Sequence, residues 1–122
     1  MTSKETDIFV FGSNLAGIHG AGAARFAVLH HGAIYGQGIG LQGRSYGIPT
    51  KGQRIETLPL SEISGYVRQF VEFARKRQDL TFYVTPIGCG LAGYRRDQIR
   101  PLFKDMPSNC RFAETWDDAD EN

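Results

Sequence analysis

Cysteine is scarce, acid and base nearly cancel, and long apolar runs are missing. Each absence removes a class of protein. The two cysteines, Cys89 and Cys110, stand far apart and make no CxxC pair, so neither a disulfide framework nor a zinc site is expected. Fourteen Lys and Arg against thirteen Asp and Glu leave a formal charge of +1, which gives no push toward nucleic acid or membrane. No apolar run approaches a membrane span, and the start of the chain, Met1-Thr2-Ser3-Lys4-Glu5-Thr6-Asp7, is too polar for a signal peptide. The G-x-S-x-G, HExxH and Walker A patterns are absent. The expectation is a cytoplasmic protein of a reducing compartment with no metal, no cofactor and no membrane partner. The 122 residues favour one domain with a modest core, residues 7–116. A polar tail, 1–6, precedes it, and an acidic tail, 117–122, expected to be disordered, follows it.

Glycine is what the chain has in excess: 15 in 122, about 12% against roughly 7% in average proteins, and clustered without a period. The clusters follow apolar runs. Ile8 to Phe11 reads as a short strand, buried on both faces. It runs into Gly12-Ser13-Asn14-Leu15-Ala16-Gly17-Ile18-His19-Gly20-Ala21-Gly22. An alanine-rich helix, Ala21 to His31, leads out, with Phe26 and Leu29 to bury and Gly32 to close it. Small residues let a ligand approach the backbone. The first N–H groups of the helix are unpaired and partly positive, which suits a phosphate or diphosphate. A tight turn without a ligand is the other reading. His30 and His31 fall at the helix end, where positive charge is favoured.

Residues 36–43 read as a flexible connection. Gly38-x-Gly40-x-x-Gly43 is a literal GxGxxG, but a strand follows it rather than a helix. Tyr46 to Thr50 is that strand, with Pro49 marking either the end of pairing or a local irregularity, and Lys51 at its C-terminal end. A second helix is expected from an N-cap at Ser61 to about Gln78. Ile63, Tyr66, Val67, Phe70, Val71 and Ala74 give it one buried face. Arg75, Lys76 and Arg77 complement its C-terminus; contact with nucleic acid is the alternative. Thr81 to Pro86 is a third strand, followed by Ile87-Gly88-Cys89-Gly90-Leu91-Ala92-Gly93. Then come a helix over Arg96 to Lys104 that Pro101 splits or kinks, a strand over Arg111 to Glu114, and Trp116 as an anchor.

This β–α alternation predicts an α/β fold with a mainly parallel sheet and helices on both faces. Its ligand crevice lies outside the C-terminal strand ends. Both glycine loops and Lys51 should converge there. Lys51 reads as a phosphate partner, a nucleophile or a solvated surface group. Asn14 reads as an amide for a sugar hydroxyl or as the staple of its own turn. Cys89 reads as a nucleophile or a small packing residue, and His19 as a ligand donor or a catalytic group. Gly88-x-Gly90-x-x-Gly93 follows a strand, and Glu114 lies about 20 residues on, the spacing of an NAD-binding Rossmann unit.

Asp7-x-x-Val10-x-x-x-Asn14 followed by Gly20-Ala21-Gly22-Ala23-Ala24 resembles the macrodomain segment in which an asparagine precedes a glycine-rich helix start. Pro86-Ile87-Gly88-Cys89-Gly90-Leu91 resembles the second phosphate-binding loop of one macrodomain branch. That branch holds the lysine-dependent ADP-ribosyl hydrolases, of the terminal ADP-ribose glycohydrolase type and the DNA-acting antitoxin type. Tyr46-x-Ile48-x-Thr50-Lys51 is similar to the strand that presents their lysine. More narrowly, the chain is similar to a compact macrodomain-like family of bacteria and phages.

The resemblance implies a three-layer α/β/α fold and ADP-ribose, or a related nucleotide, as ligand. Asn14 would contact the distal ribose. Gly20, Ala21 and Gly22 would lie by the ribose and diphosphate. Ile87, Gly88, Cys89, Gly90, Leu91 and Ala92 would wrap the diphosphate and distal ribose. Lys51 would attack the ribose C1″ or hold the opened ring as an adduct. Protein or nucleic acid carrying ADP-ribose would be the partner. Ala92 stands where the protein-acting glycohydrolases carry an acid, while the DNA-acting type has a small residue there. Ala23 and Ala24 stand where other macrodomain hydrolases carry an acid. Six residues precede Asp7, where macrodomains usually have the segment that reads the adenine. Three functions follow: a lysine-dependent ADP-ribosyl hydrolase, a non-catalytic reader or scavenger, and an NAD-binding Rossmann-like module.

Overall fold

The computed structural model describes residues 4–117. Residues 1–3 of the expected N-terminal tail, and residues 118–122 of the expected acidic tail, lie outside the described residues. The elements in chain order are β1 (Asp7–Asn14), α1 (Gly22–His31), β2 (Gly40–Gln42), β3 (Ser45–Lys51), α2 (Leu60–Lys76), β4 (Thr81–Val84), α3 (Arg96–Ile99) and β5 (Cys110–Phe112). Short 3₁₀ turns occupy Arg100–Phe103 and Glu114–Asp117. The fold is α/β: a five-stranded mixed sheet in the order β2-β3-β1-β4-β5, with three α-helices among the described residues. β1 is central and pairs parallel with β3 and β4, β5 adds parallel to β4, and only β2 runs antiparallel, against β3.

Alternation along β1 decides what packs where. Ile8 and Val10 join Tyr46, Ile48, Phe82 and Val84 in the larger core, which α2 covers with Ile63, Val67, Phe70, Val71 and Ala74. Phe9 and Phe11 belong to a smaller core completed by Ala24, Ala27 and Ala33. Phe70 is the hub of the larger core. Its ring meets those of Tyr46, Phe82 and Phe103 edge-on, with centroids 5.1, 5.4 and 6.1 Å away. Burial pushes the Tyr46 hydroxyl up to about 12, and it pushes the Cys110 thiol up to about 11 against the smaller opposing pull of the Arg75 charge.

Four expectations need correction. Residues 36–43 are not a loose connection, because residues 40–42 form β2. α2 begins at Leu60 behind Pro59, one residue before the expected cap: the Pro59 carbonyl accepts from Glu62 and Ile63, and proline has no N–H to satisfy. It also stops at Lys76, short of Gln78. There the Asn109 amide donates to the carbonyls of Ala74, Arg77 and Leu80, catching the helix end from a distant loop. Finally, α1 buries Ala24 and Ala27 and leaves Phe26 and Leu29 47% and 61% exposed. Small side chains at Ala24 and Ala27 allow α1 to sit close on β1; Leu29 falls on the outer side, and Phe26 lies at the margin, its ring centroid 5.5 Å from that of Phe9.

Other elements follow the sequence. Gly32 closes α1 with φ +75. Pro101 divides α3 from the following 3₁₀ turn. The register of β1 against β3 slips beside Pro49. Trp116 is buried and donates from Nε1 to the Val84 carbonyl at 2.6 Å. One further expectation fails: β5 covers Cys110–Phe112 rather than Arg111 to Glu114, so Glu114 is exposed in a 3₁₀ turn and not at a strand end.

Candidate functional site

The C-terminal ends of three parallel strands open on one cleft of about 420 Å³. β1 contributes Gly12, Ser13 and Asn14, β3 contributes Thr50 and Lys51, and the chain leaving β4 contributes Thr85, Pro86 and Ile87. Gly20 to Ala24 form a further wall, and Gly88, Gly90, Leu91 and Ala92 another. The two glycine loops and the lysine, spread over the sequence, therefore share one cavity.

The first loop is braced from behind. Asn14 staples it: its amide donates to the Ile18 carbonyl at 2.8 Å and its Oδ1 accepts from the Ile18 N–H at 2.9 Å. One amide hydrogen and one lone pair of Asn14 are left for other partners. Gly36 donates to the Gly17 carbonyl, and the Ser13 hydroxyl donates to the Gly38 carbonyl. A Cβ at Gly17, whose φ is +72, would overlap Gly36, and one at Gly38 would overlap the Asn14 carbonyl oxygen. Contact, rather than hinge motion, explains these glycines. His19 lies under the loop at 1% exposure, its Nε2 facing the Gln37 carbonyl at 3.0 Å and Gln42 Oε1 at 3.3 Å. It does not line the cleft.

α1 opens on the cleft without a cap. Ala21 has extended backbone, no side chain bonds the first amides, and the first turn carries no acid. Among the described residues the amides of Gly20, Ala21 and Gly22 donate to no protein group. The second loop has the same property. Cys89, Gly93 and Tyr94 amides donate to Pro86, Gly90 and Gly88, but those of Gly88, Gly90, Leu91 and Ala92 find no acceptor among the described residues. Two loops thus present unspent N–H groups along one cavity, the arrangement that suits an anion.

Lys51 is the one charged side chain among the lining residues, and no carboxylate pairs with it among the described residues. A fixed loop follows it. Lys51 bridges to Thr57, Gly52 donates to the Glu56 carbonyl, and the Thr57 hydroxyl donates to the Ala92 carbonyl at 3.1 Å. Tyr94 donates to the Leu58 carbonyl at 2.6 Å, a second tie between the lysine loop and the second glycine loop.

Of the expected site residues, Lys51, Asn14, Gly20, Ala21, Gly22, Ile87, Gly88, Gly90, Leu91 and Ala92 all line the cleft. Cys89 does not. It is half-buried against the larger core, with Sγ 3.4 Å from the Ile87 carbonyl, so its side chain packs under the loop. Gly12, Ser13, Thr50 and Thr85 line the cleft too, and the strand-end rule applied residue by residue would have found them. Ile18 and Ile55 carry no such signal in the sequence. Glu114 is not among the lining residues.

No family model matches the chain, and no curated protein matches it. Among solved structures it is similar to one titled as a protein of unknown function from Bacteroides thetaiotaomicron. Identity is 15%, coverage 84% of this chain and 81% of the other, and the TM-score 0.54. That likeness concerns the fold alone.

Proposed function

We propose that this chain is a three-layer, macrodomain-like module that binds ADP-ribose or a close derivative in the strand-end cleft. One observation carries the reading: both glycine loops, with their unspent amides, line the same cavity as Lys51. The diphosphate lies against the amides of Gly20 to Gly22 and Gly88 to Ala92, where partial positive charge from α1 adds to the hydrogen bonds. The cavity volume falls in the ordinary range for small-molecule sites. The distal ribose lies toward Asn14 and Lys51.

In the hydrolytic version, the Lys51 nitrogen attacks the ribose C1″. A C–N bond forms as the bond to the modified group breaks, the proton shed by the amine passes to the departing group, and water later cleaves the C–N bond and releases the sugar. The absence of a carboxylate among the lining residues favours a second version, a reader or scavenger that binds without turnover. The Rossmann alternative has less support. α3 starts three residues beyond Gly93 and has only four residues, and Glu114 stands outside the cleft.

Calorimetry with ADP-ribose, NAD and ADP side by side tests the reading. Binding of ADP-ribose well above NAD is expected; no binding of any of the three overturns it. Lys51→Ala then separates the two versions. A hydrolase keeps affinity and loses turnover, whereas a reader has none to lose.

A further inference from the structure

Among the described residues nine have positive φ, and eight of them are glycine; the ninth is Ile55, at φ +64. A β-branched side chain is the worst choice for that conformation. Ile55 is also 39% exposed and lies outside both cores, so packing does not repay the strain. The loop itself does not need isoleucine. Ile55 donates to the Gly52 carbonyl at 3.1 Å, Arg54 to Glu56 Oε1 at 3.0 Å, and Leu58 to the Thr50 carbonyl at 2.9 Å, all from backbone amides. What Ile55 does is line the cleft that Lys51 also lines. Ile18 and Leu91, 49% and 74% exposed, line it from two other loops.

We infer that Ile55 is a ligand-contact residue, held in a left-handed conformation because that directs an apolar side chain onto the ring of the ligand lying against Lys51. With Ile18 and Leu91 it makes an apolar mouth that admits the carbon face of a sugar or base and sheds water from around the amine. Strain persisting where the surrounding loop over-determines it is the signature of a functional position. The inference rests on the ADP-ribose reading of the cleft.

Three variants test it: Ile55→Gly, Ile55→Asn and Ile55→Leu. Glycine and asparagine accept φ +64 readily. Both are expected to raise the melting temperature by about 3 °C and to weaken ADP-ribose binding about tenfold, the worth of the lost apolar contact. Leucine, still apolar, is expected to stay within about threefold of the parent. Wild-type affinity retained by glycine and asparagine overturns the inference and leaves the ADP-ribose reading standing. A lower melting temperature for the glycine variant also overturns it, because the side chain then serves the fold. Failure of the parent protein itself to bind ADP-ribose removes the reading and the inference together.

Discussion

Three glycines of this chain are small for three different reasons, and one substitution, Gly to Ala, separates them. At Gly38 the backbone angle is ordinary, but a Cβ would overlap the Asn14 carbonyl oxygen, a backbone atom that cannot swing away. Relieving that overlap costs about 1–3 kcal/mol. It also parts the Gly38 carbonyl from the buried Ser13 hydroxyl, for about 1 kcal/mol more. The expected loss is about 2–4 kcal/mol, a fall of roughly 8–15 °C in melting temperature for a domain of this size. At Gly36 there is open space, but φ is +95, so alanine pays only the left-handed penalty of about 1–2 kcal/mol. At Gly90 neither cost applies: nothing lies within 4 Å of the added Cβ and φ is ordinary. Alanine there is expected to be neutral or to stabilise by about 0.4–1 kcal/mol through the unfolded chain. Yet it faces the cleft, and it is expected to weaken ADP-ribose binding by more than about tenfold. Urea denaturation followed by tryptophan fluorescence gives the first ranking, and calorimetry gives the second. A Gly38→Ala protein as stable as its parent would refute the brace behind the first loop. Unchanged affinity in Gly90→Ala would refute close approach of the ligand to that backbone.

Two further predictions concern the scaffold. Phe70→Ala removes the ring shared by Tyr46, Phe82 and Phe103 and is expected to cost about 3–5 kcal/mol in urea denaturation; a loss below about 1 kcal/mol would show that the core collapses around the void. His31 is stacked on Phe9 at 4.5 Å, and burial first, then the Arg44 and His30 charges, lower its pKa below the ordinary 6.5. The unfolded chain then binds that proton more readily, so the His31 contribution to stability falls as pH drops through 6.5 toward the folded value. Thermal melts of His31→Gln are expected to vary less with pH from 7 downward than those of the parent; an equally steep dependence would place the effect elsewhere.

How far the sequence could be read depended on the kind of signal. α2 announced itself through Ile63, Val67, Phe70 and Ala74, because a helix on a large core repeats its apolar residues at helical spacing. α1 did not, because close approach to β1 is achieved with Ala24 and Ala27, while Leu29 faces outward and Phe26 only borders Phe9 at the edge of the small core. β2 was invisible: three residues carry no periodicity, and its place depends on pairing with β3. For the site, convergence of the two loops and Lys51 followed from strand ends alone. The direction of each side chain did not. Asn14 spends half its amide on Ile18, Cys89 turns beneath its loop, and Ile55 enters the cleft only through an unusual backbone angle. The His31 reading also reversed: a helix end favours its charge, but burial and the neighbouring cations prevail.

The central position of β1 has a consequence for synthesis. Phe9 aligns with Ser45 on one side and Tyr83 on the other, so both edges of the strand wait for partners made later. At ordinary translation speeds the interval up to β4 is roughly 4–15 s. Through that time a nascent segment holding Ile8, Val10 and Phe11 stays open to misassociation. A ribosome-bound chaperone that shelters it until residue 84 has emerged should raise the yield of native protein more than the same helper added after release.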